Sequence, residues 1–89
     1  MTLEWEQVIV HSADPVTLGQ WWASALGWVV VHSSDDEFEI RPEPDRLPGL
    51  EFVRLDEGKK VKSRLHLDFR PDDQAAEVAR LEALGAKRV

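Results

Sequence analysis

The chain has 89 residues, of which 43% are hydrophobic and 31% are charged, and its formal net charge is −6. This length allows one domain with a modest core, and the negative charge argues against nucleic acid or an anionic membrane as the main partner. The absence of cysteine excludes disulfides and thiolate chemistry. No apolar run approaches the roughly 20 residues that cross a bilayer, and the first six residues are unlike a secretory signal. We therefore expect a cytoplasmic protein.

The first half of the chain predicts one strand, one helix and three further strands. Residues 3–10 are predicted as a strand, in which Val8 and Val10 share one face and Trp5, Gln7, Ile9 and His11 share the other. Asp14 followed by Pro15 is a favourable helix start, because the carboxylate accepts free backbone N–H groups and proline needs none. Apolar residues then recur at helical spacing as far as Gly27, which suits a helix end. Further strands are predicted over residues 28–32, 37–41 and 50–55.

The strictest alternation in the second half lies in residues 62–70 and predicts another strand. Its polar face carries His66 between arginine and aspartate side chains, a row that could line a site. A helix is predicted from Asp72 to Leu84, and Gly85 follows it.

The two predicted helices belong to an internal repeat. Residues 14–27 and 72–85 both begin with aspartate and end in Ala-Leu-Gly, and each follows a predicted strand. Repeats of one such unit indicate modules that bury their apolar faces together. We predict an α+β fold of paired βαβββ modules, whose curved mixed sheet surrounds a groove. Residues 1–89 would form a single domain, with residues 1–56 as the first module and residues 61–89 as the incomplete second.

Three stretches carry a family resemblance: residues 13–15 with 21–28, residues 62–68 and residues 80–86. Together with the strand order they resemble the glyoxalase-like domains of the vicinal-oxygen-chelate superfamily, which also contains bleomycin-resistance proteins and extradiol dioxygenases. The superfamily includes metal-dependent isomerases and lyases, thiol transferases, and metal-free proteins that sequester antibiotics. The resemblance therefore implies the fold more specifically than the activity.

The resemblance also implies a set of metal ligands. Metal-using members place ligands on the first and fourth strands of each module, and the matching positions here are Gln7, Glu51 and His66. The alternation of the strands puts all three on the face opposite the apolar residues. Such oxygen and imidazole donors suit a divalent Ni, Zn, Mn or Fe ion. A fourth ligand would lie on a strand beyond residue 89, so we expect the domain to continue or another chain to complete the sheet.

Three functions remain open for such a protein. The first is a metal-dependent lyase or isomerase for a small oxygen-rich substrate, in which the ion stabilises an enediolate and Glu51 is both ligand and proton shuttle. The second is a metal-free small-molecule binding or sequestering protein, with a groove lined by Trp5, Ile9 and Val53. The third is a non-catalytic dimerisation module. We expect a homodimer.

Overall fold

The computed structural model describes residues 3–55 and 67–88. The chain divides into two compact units, residues 1–58 and residues 59–89. The first unit contains β1 (Gln7–Ser12), α1 (Pro15–Leu26), β2 (Val29–Ser33), β3 (Glu37–Arg41) and β4 (Gly49–Arg54), and the second contains α2 (Gln74–Ala83). This confirms the predicted α+β class and the βαβββ order of the first module.

The four strands form one mixed sheet in the order β1-β4-β3-β2. The consecutive strands β2, β3 and β4 pair antiparallel, whereas β1 lies parallel to β4 at one edge. Val8 lies opposite Leu50 and Val10 lies opposite Phe52. Because side chains alternate along a strand, this register brings the apolar residues of β1 and β4 to the same face of the sheet.

The core of the first unit lies between that face and α1. Phe38, Ile40, Leu50 and Phe52 are buried together, and Trp22 is among the residues of α1 that pack against them. The neighbouring Trp21 meets the Trp22 ring edge-on, with ring centroids 5.1 Å apart. The amphipathic stripe that the sequence predicts for α1 is thus the surface that covers the sheet.

Both ends of α1 agree with the prediction. The Asp14 carboxylate accepts a hydrogen bond from the Thr17 backbone N–H at 3.2 Å. Hydrogen bonding with the Thr17 side chain, and then with its backbone, lowers the pKa of Asp14. Gly27 follows the helix in the left-handed conformation, with φ of 68°. Both signals are local in sequence, so the helix bounds could be predicted without any knowledge of the sheet.

The predicted bounds of β1 were wrong. The strand was predicted over residues 3–10, but it begins at Gln7 and continues to Ser12. Its only ladder among the described residues is with β4, which pairs Gln7 with Gly49 and Ser12 with Arg54. Residues 3–6 alternate in sequence but have no partner residue in that ladder, and backbone groups need such partners to form a strand. The predictions for β2 and β4 were each displaced by one residue.

The second unit also differs from the prediction. Residues 67–70 lie in no strand, although they belong to the predicted strand 62–70, and residues 62–66 lie outside the described residues. All strands that the structure describes belong to the first unit, and an alternating segment without a paired neighbour is not a stable strand.

The helix of the second unit is shorter than predicted. Asp73 rather than Asp72 caps α2, accepting a hydrogen bond from the Ala76 N–H at 3.1 Å. Two adjacent aspartates look equivalent in sequence, and only the one with the extended backbone can reach the first turn of the helix. With 12 and 10 residues, the two helices of the described part of the chain are too short to cross a membrane.

Candidate functional site

The face of the sheet opposite α1 carries four of the residues singled out from the sequence, Gln7, Ile9, Glu51 and Val53. Ile9 of β1 and Glu39 of β3 are the register partners of Glu51 in β4, so the three side chains share this face. Gln7 and Val53 lie two positions along their strands and therefore face the same way. We call this surface the open face. The predicted alternation of β1 and β4 is confirmed, while the functional roles of these residues stay predictions.

Gln7 and Glu51 are in direct contact on the open face, although 44 positions separate them in sequence. The Gln7 side-chain amide donates a hydrogen bond from Nε2 to Glu51 Oε1 at 3.1 Å. The other polar atom of the amide, Oε1, is buried and has no hydrogen-bond partner within the part of the chain that the structure describes. Buried polar atoms in native proteins are generally paired, so a free acceptor beside a carboxylate marks a place where a ligand could bind.

The surroundings of Glu51 hold its proton more tightly than water would. Burial raises the pKa of the Glu51 carboxyl above its ordinary value of 4.5, and the negative charges of Glu37 and Glu39 raise it further. His32 and the hydrogen bond from Gln7 oppose the increase. A carboxyl group with a raised pKa is a better base once it is ionised, which suits a group that accepts and returns a proton.

Glu39 has a close cationic partner. Glu39 Oε2 lies 3.0 Å from Arg41 Nε and 2.9 Å from Arg41 Nη2, and both side chains are largely buried, at 15% and 24% exposure. Arg41 Nη1 also donates to the Pro44 carbonyl at 3.4 Å, which ties the guanidinium to the loop after β3. The guanidinium therefore connects Glu39 to the loop after β3, and the alternation of β3 places the ion pair on the open face with Glu51.

Sequence patterns alone did not assign Glu37, Glu39, Arg41 and His32 to this face. Glu37, Glu39 and Arg41 alternate with the buried Phe38 and Ile40, which placed them together on the polar side of β3. His32 Nε2 lies 3.9 Å from Glu37 Oε2, and both side chains are about half exposed. The alternation of β3 indicated that its charged residues share one face. Which residues of β4 lie opposite them became known only with the β3–β4 register.

The described residues bring together two of the oxygen donors that the resemblance implies as ligands of a divalent cation. These donors are Gln7 Oε1, which has no hydrogen-bond partner among the described residues, and the Glu51 carboxylate, which is hydrogen-bonded to the same Gln7 amide. Within residues 3–55 and 67–88, no three His, Cys, Asp or Glu side chains are grouped closely enough to hold a metal ion. The third residue that the resemblance implies, His66, lies outside the described residues. The first unit therefore offers one half of the implied ligand set.

Of the three side chains predicted to line a groove, those of Ile9 and Val53 lie on the open face, whereas Trp5 precedes β1. Ile9 is 49% exposed on the open face, directly beside Glu51 in register, and Val53 is partly buried on the same face. Trp5 lies before β1 and is 67% exposed. The two aliphatic residues thus form an apolar flank to the Gln7–Glu51 pair, whereas the role of Trp5 stays a prediction.

Comparison with known proteins identifies a family that matches the chain. A family model described as "Glyoxalase-like domain" matches residues 7–89, which is nearly the whole chain. No curated protein and no solved structure matches the chain. The match begins at the residue where β1 begins and includes both described helices.

Proposed function

The chain belongs to the family of glyoxalase-like domains in the vicinal-oxygen-chelate superfamily, and from that premise we propose that its first unit supplies half of a divalent-metal site for a lyase or isomerase. The substrate class would be small oxygen-rich molecules. The observation that carries the proposal is the contact between Gln7 and Glu51, with Gln7 Oε1 buried and free beside it.

The amide and the carboxylate would have different tasks. Gln7 Oε1 is a neutral acceptor whose position is fixed by the hydrogen bond from the same amide to Glu51, so it would serve as a ligand only. Glu51 would be a ligand and would also receive a proton from the substrate and return it, since its surroundings favour the protonated form more than water does. A bound divalent ion would supply Lewis-acid stabilisation of the negative charge that develops on substrate oxygens.

Metal uptake tests this proposal directly. The purified protein is equilibrated with Ni²⁺, Zn²⁺, Mn²⁺ or Fe²⁺, and bound metal is measured by mass spectrometry and by calorimetric titration. We expect wild type to bind one of these ions, and Gln7→Ala and Glu51→Gln to weaken that binding by about tenfold or more, in line with the loss of a ligand or its support. His66→Ala examines the third implied ligand in the same assay.

Two substitutions away from the open face are matched controls. Gln20→Ala removes an exposed amide on α1, and Glu43→Gln neutralises an exposed carboxylate in the loop before β4. Both should bind metal as wild type does. Wild-type protein that takes up none of the four ions would overturn the proposal, and so would Gln7→Ala and Glu51→Gln proteins that bind as tightly as the controls.

The apolar flank favours a second candidate function, which is metal-free binding of small molecules. Ile9 is half exposed beside Glu51, and Val53 faces the same way, so a ligand with an apolar part could rest on the two residues while a polar group meets the Gln7–Glu51 pair.

An apolar fluorescent dye, anilinonaphthalene sulfonate, is a suitable probe for this candidate in the presence of a chelator. We expect dye fluorescence to rise with wild type and to fall several-fold with Ile9→Ser or Val53→Ser. Val30→Ser, which changes a valine of β2 that is as exposed as Ile9 but lies opposite Ile40 on the other face of the sheet, is the control. Equal dye binding by all four proteins would rule out a binding surface at Ile9 and Val53.

A further inference from the structure

On the open face, two glutamates lie opposite each other, an arrangement that lowers the stability of a sheet. Glu39 and Glu51 lie directly opposite each other on adjacent antiparallel strands. Side chains in such positions have Cβ atoms about 5 Å apart, and like charges there destabilise a sheet. A third carboxylate, Glu37, lies two positions from Glu39 on the same face. Sheet stability does not account for this arrangement, whereas a site that needs carboxylates would.

The two opposed carboxylates have different hydrogen-bond partners. Arg41 contacts Glu39 Oε2 through two nitrogens and is itself tied to the Pro44 carbonyl. Glu51 accepts its hydrogen bond from the neutral Gln7 amide. Both nitrogens contact the same oxygen, Glu39 Oε2, and the rigid plane of the guanidinium fixes the direction in which that oxygen is held. Glu39 is therefore held along β3, toward Arg41, rather than across the sheet toward Glu51.

We propose that Arg41 is a positioning residue that keeps Glu39 from becoming a third oxygen ligand beside Gln7 and Glu51. The inference rests on the proposed metal site. Arg41 limits the affinity of the site and leaves Glu51 as the carboxylate that exchanges a proton. Without Arg41, Glu39 would be free to rotate toward Glu51, and a cation between them would bring both carboxylates together. Affinity for divalent ions rises with the number of charged oxygen ligands.

Calorimetric titration with Mn²⁺ tests the proposal in four proteins: wild type, Arg41→Gln, Arg41→Lys, and the double variant Arg41→Gln with Glu39→Gln. We expect Arg41→Gln to bind Mn²⁺ at least about tenfold more tightly than wild type, because a ligand is gained. Arg41→Lys keeps a cation beside Glu39 and should bind as wild type does. The double variant should also return to the wild-type affinity, since it has lost the freed carboxylate.

Loss of a positive charge could by itself attract cations, so the same proteins are titrated with hexaamminecobalt(III). This ion retains its ammonia ligands and responds to charge without coordinating a carboxylate. We expect its affinity to change less than about threefold between wild type and Arg41→Gln, as for a partly screened charge. Circular dichroism establishes that each variant is folded. Should Arg41→Gln not fold, Arg41→Met takes its place because it keeps the apolar stem of the side chain.

The outcomes separate this inference from the proposed function. If wild type binds Mn²⁺ and Arg41→Gln binds it no more tightly, the inference fails and the proposed function stands. Equal gains for Mn²⁺ and hexaamminecobalt(III) also overturn it, because charge then explains the effect. If wild type binds none of Ni²⁺, Zn²⁺, Mn²⁺ and Fe²⁺, the proposed function fails. The inference then stands only if Arg41→Gln binds Mn²⁺ and the double variant does not.

Discussion

Single residues on the open face differ from those of an ordinary solvated sheet face in how their charges are arranged. Glu51 is partly buried beside two further glutamates. Its neighbour Gln7 donates a hydrogen bond from Nε2 to the carboxylate, while Gln7 Oε1 has no partner among the described residues. Carboxylates this close together on a sheet repel one another and destabilise it. The residue-scale features therefore favour a binding role for this face.

The raised pKa of Glu51 leads to a prediction with a definite sign. Glu39→Gln removes a nearby negative charge and should lower the pKa of Glu51, whereas Gln7→Ala removes a hydrogen bond to the carboxylate and should raise it. Both are measured by following the Glu51 carboxyl carbon by NMR during a pH titration. Glu43→Gln, in the exposed loop, is the control and should leave the titration unchanged. Shifts in the opposite directions would contradict this account of the Glu51 environment.

The same shift links Glu51 to stability. Between the ordinary pKa of 4.5 and the raised value, the folded state binds more protons than the unfolded state. The free energy of unfolding should therefore fall as pH rises through that interval, and the loss is complete above the raised pKa. Urea unfolding across this pH range should show a smaller decline in Glu51→Gln than in wild type. An equal decline in the two proteins would mean that other groups dominate.

At the scale of elements, the close approach of α1 to β3 depends on one small residue. Gly19 is buried in the middle of α1, and a Cβ atom there would lie 2.9 Å from Phe38 Cγ and closer still to Cδ2. Phe38 belongs to the buried core. Glycine is unfavourable inside a helix by about 1 kcal/mol relative to alanine, so its presence here is explained by packing rather than by helix formation.

We expect Gly19→Ala to destabilise the protein by about 1–3 kcal/mol despite its higher helix propensity, because the added methyl group must displace a core ring. Gln20→Ala, at the next and exposed position of α1, is the control and should be neutral or slightly stabilising. Thermal unfolding followed by circular dichroism compares the two variants with wild type. A melting temperature of Gly19→Ala at or above that of wild type would show that the helix can move away from β3 at little cost.

At the scale of the whole molecule, the part of the chain that the structure describes has a small buried core. In the described residues, the buried hydrophobic core consists of Ala25, Phe38, Ile40, Leu50 and Phe52, all in the first unit. Large apolar side chains remain exposed in both units, among them Val30 on the edge strand β2 and Phe69 before α2. Chains of this length bury a limited fraction of their surface, and association is a common way to bury more.

The small core and the exposed apolar side chains are the physical basis for the predicted homodimer. Sedimentation equilibrium should give a mass near twice the 10.1 kDa of the chain, and the unfolding temperature should rise with protein concentration, as expected when association is linked to folding. The measurement is made in buffered salt so that the net charge of −6 does not bias the apparent mass. A single 10 kDa species with a concentration-independent unfolding temperature would contradict the prediction.

The sequence alone determined the features whose causes are local. Asp14, Pro15 and Gly27 defined α1, because caps act on the adjacent turn, and alternation defined the two faces of β3 and β4, because side chains reverse at every residue. The family resemblance that the motifs carried is confirmed over residues 7–89.

Only the tertiary structure decided which strand pairs with which, and at what register. That register placed the start of β1 at Gln7, set Glu39 opposite Glu51, and left Gln7 with one bonded and one free polar atom. Ladder partners and contacts across 44 residues depend on how the whole sheet assembles, which no local pattern encodes.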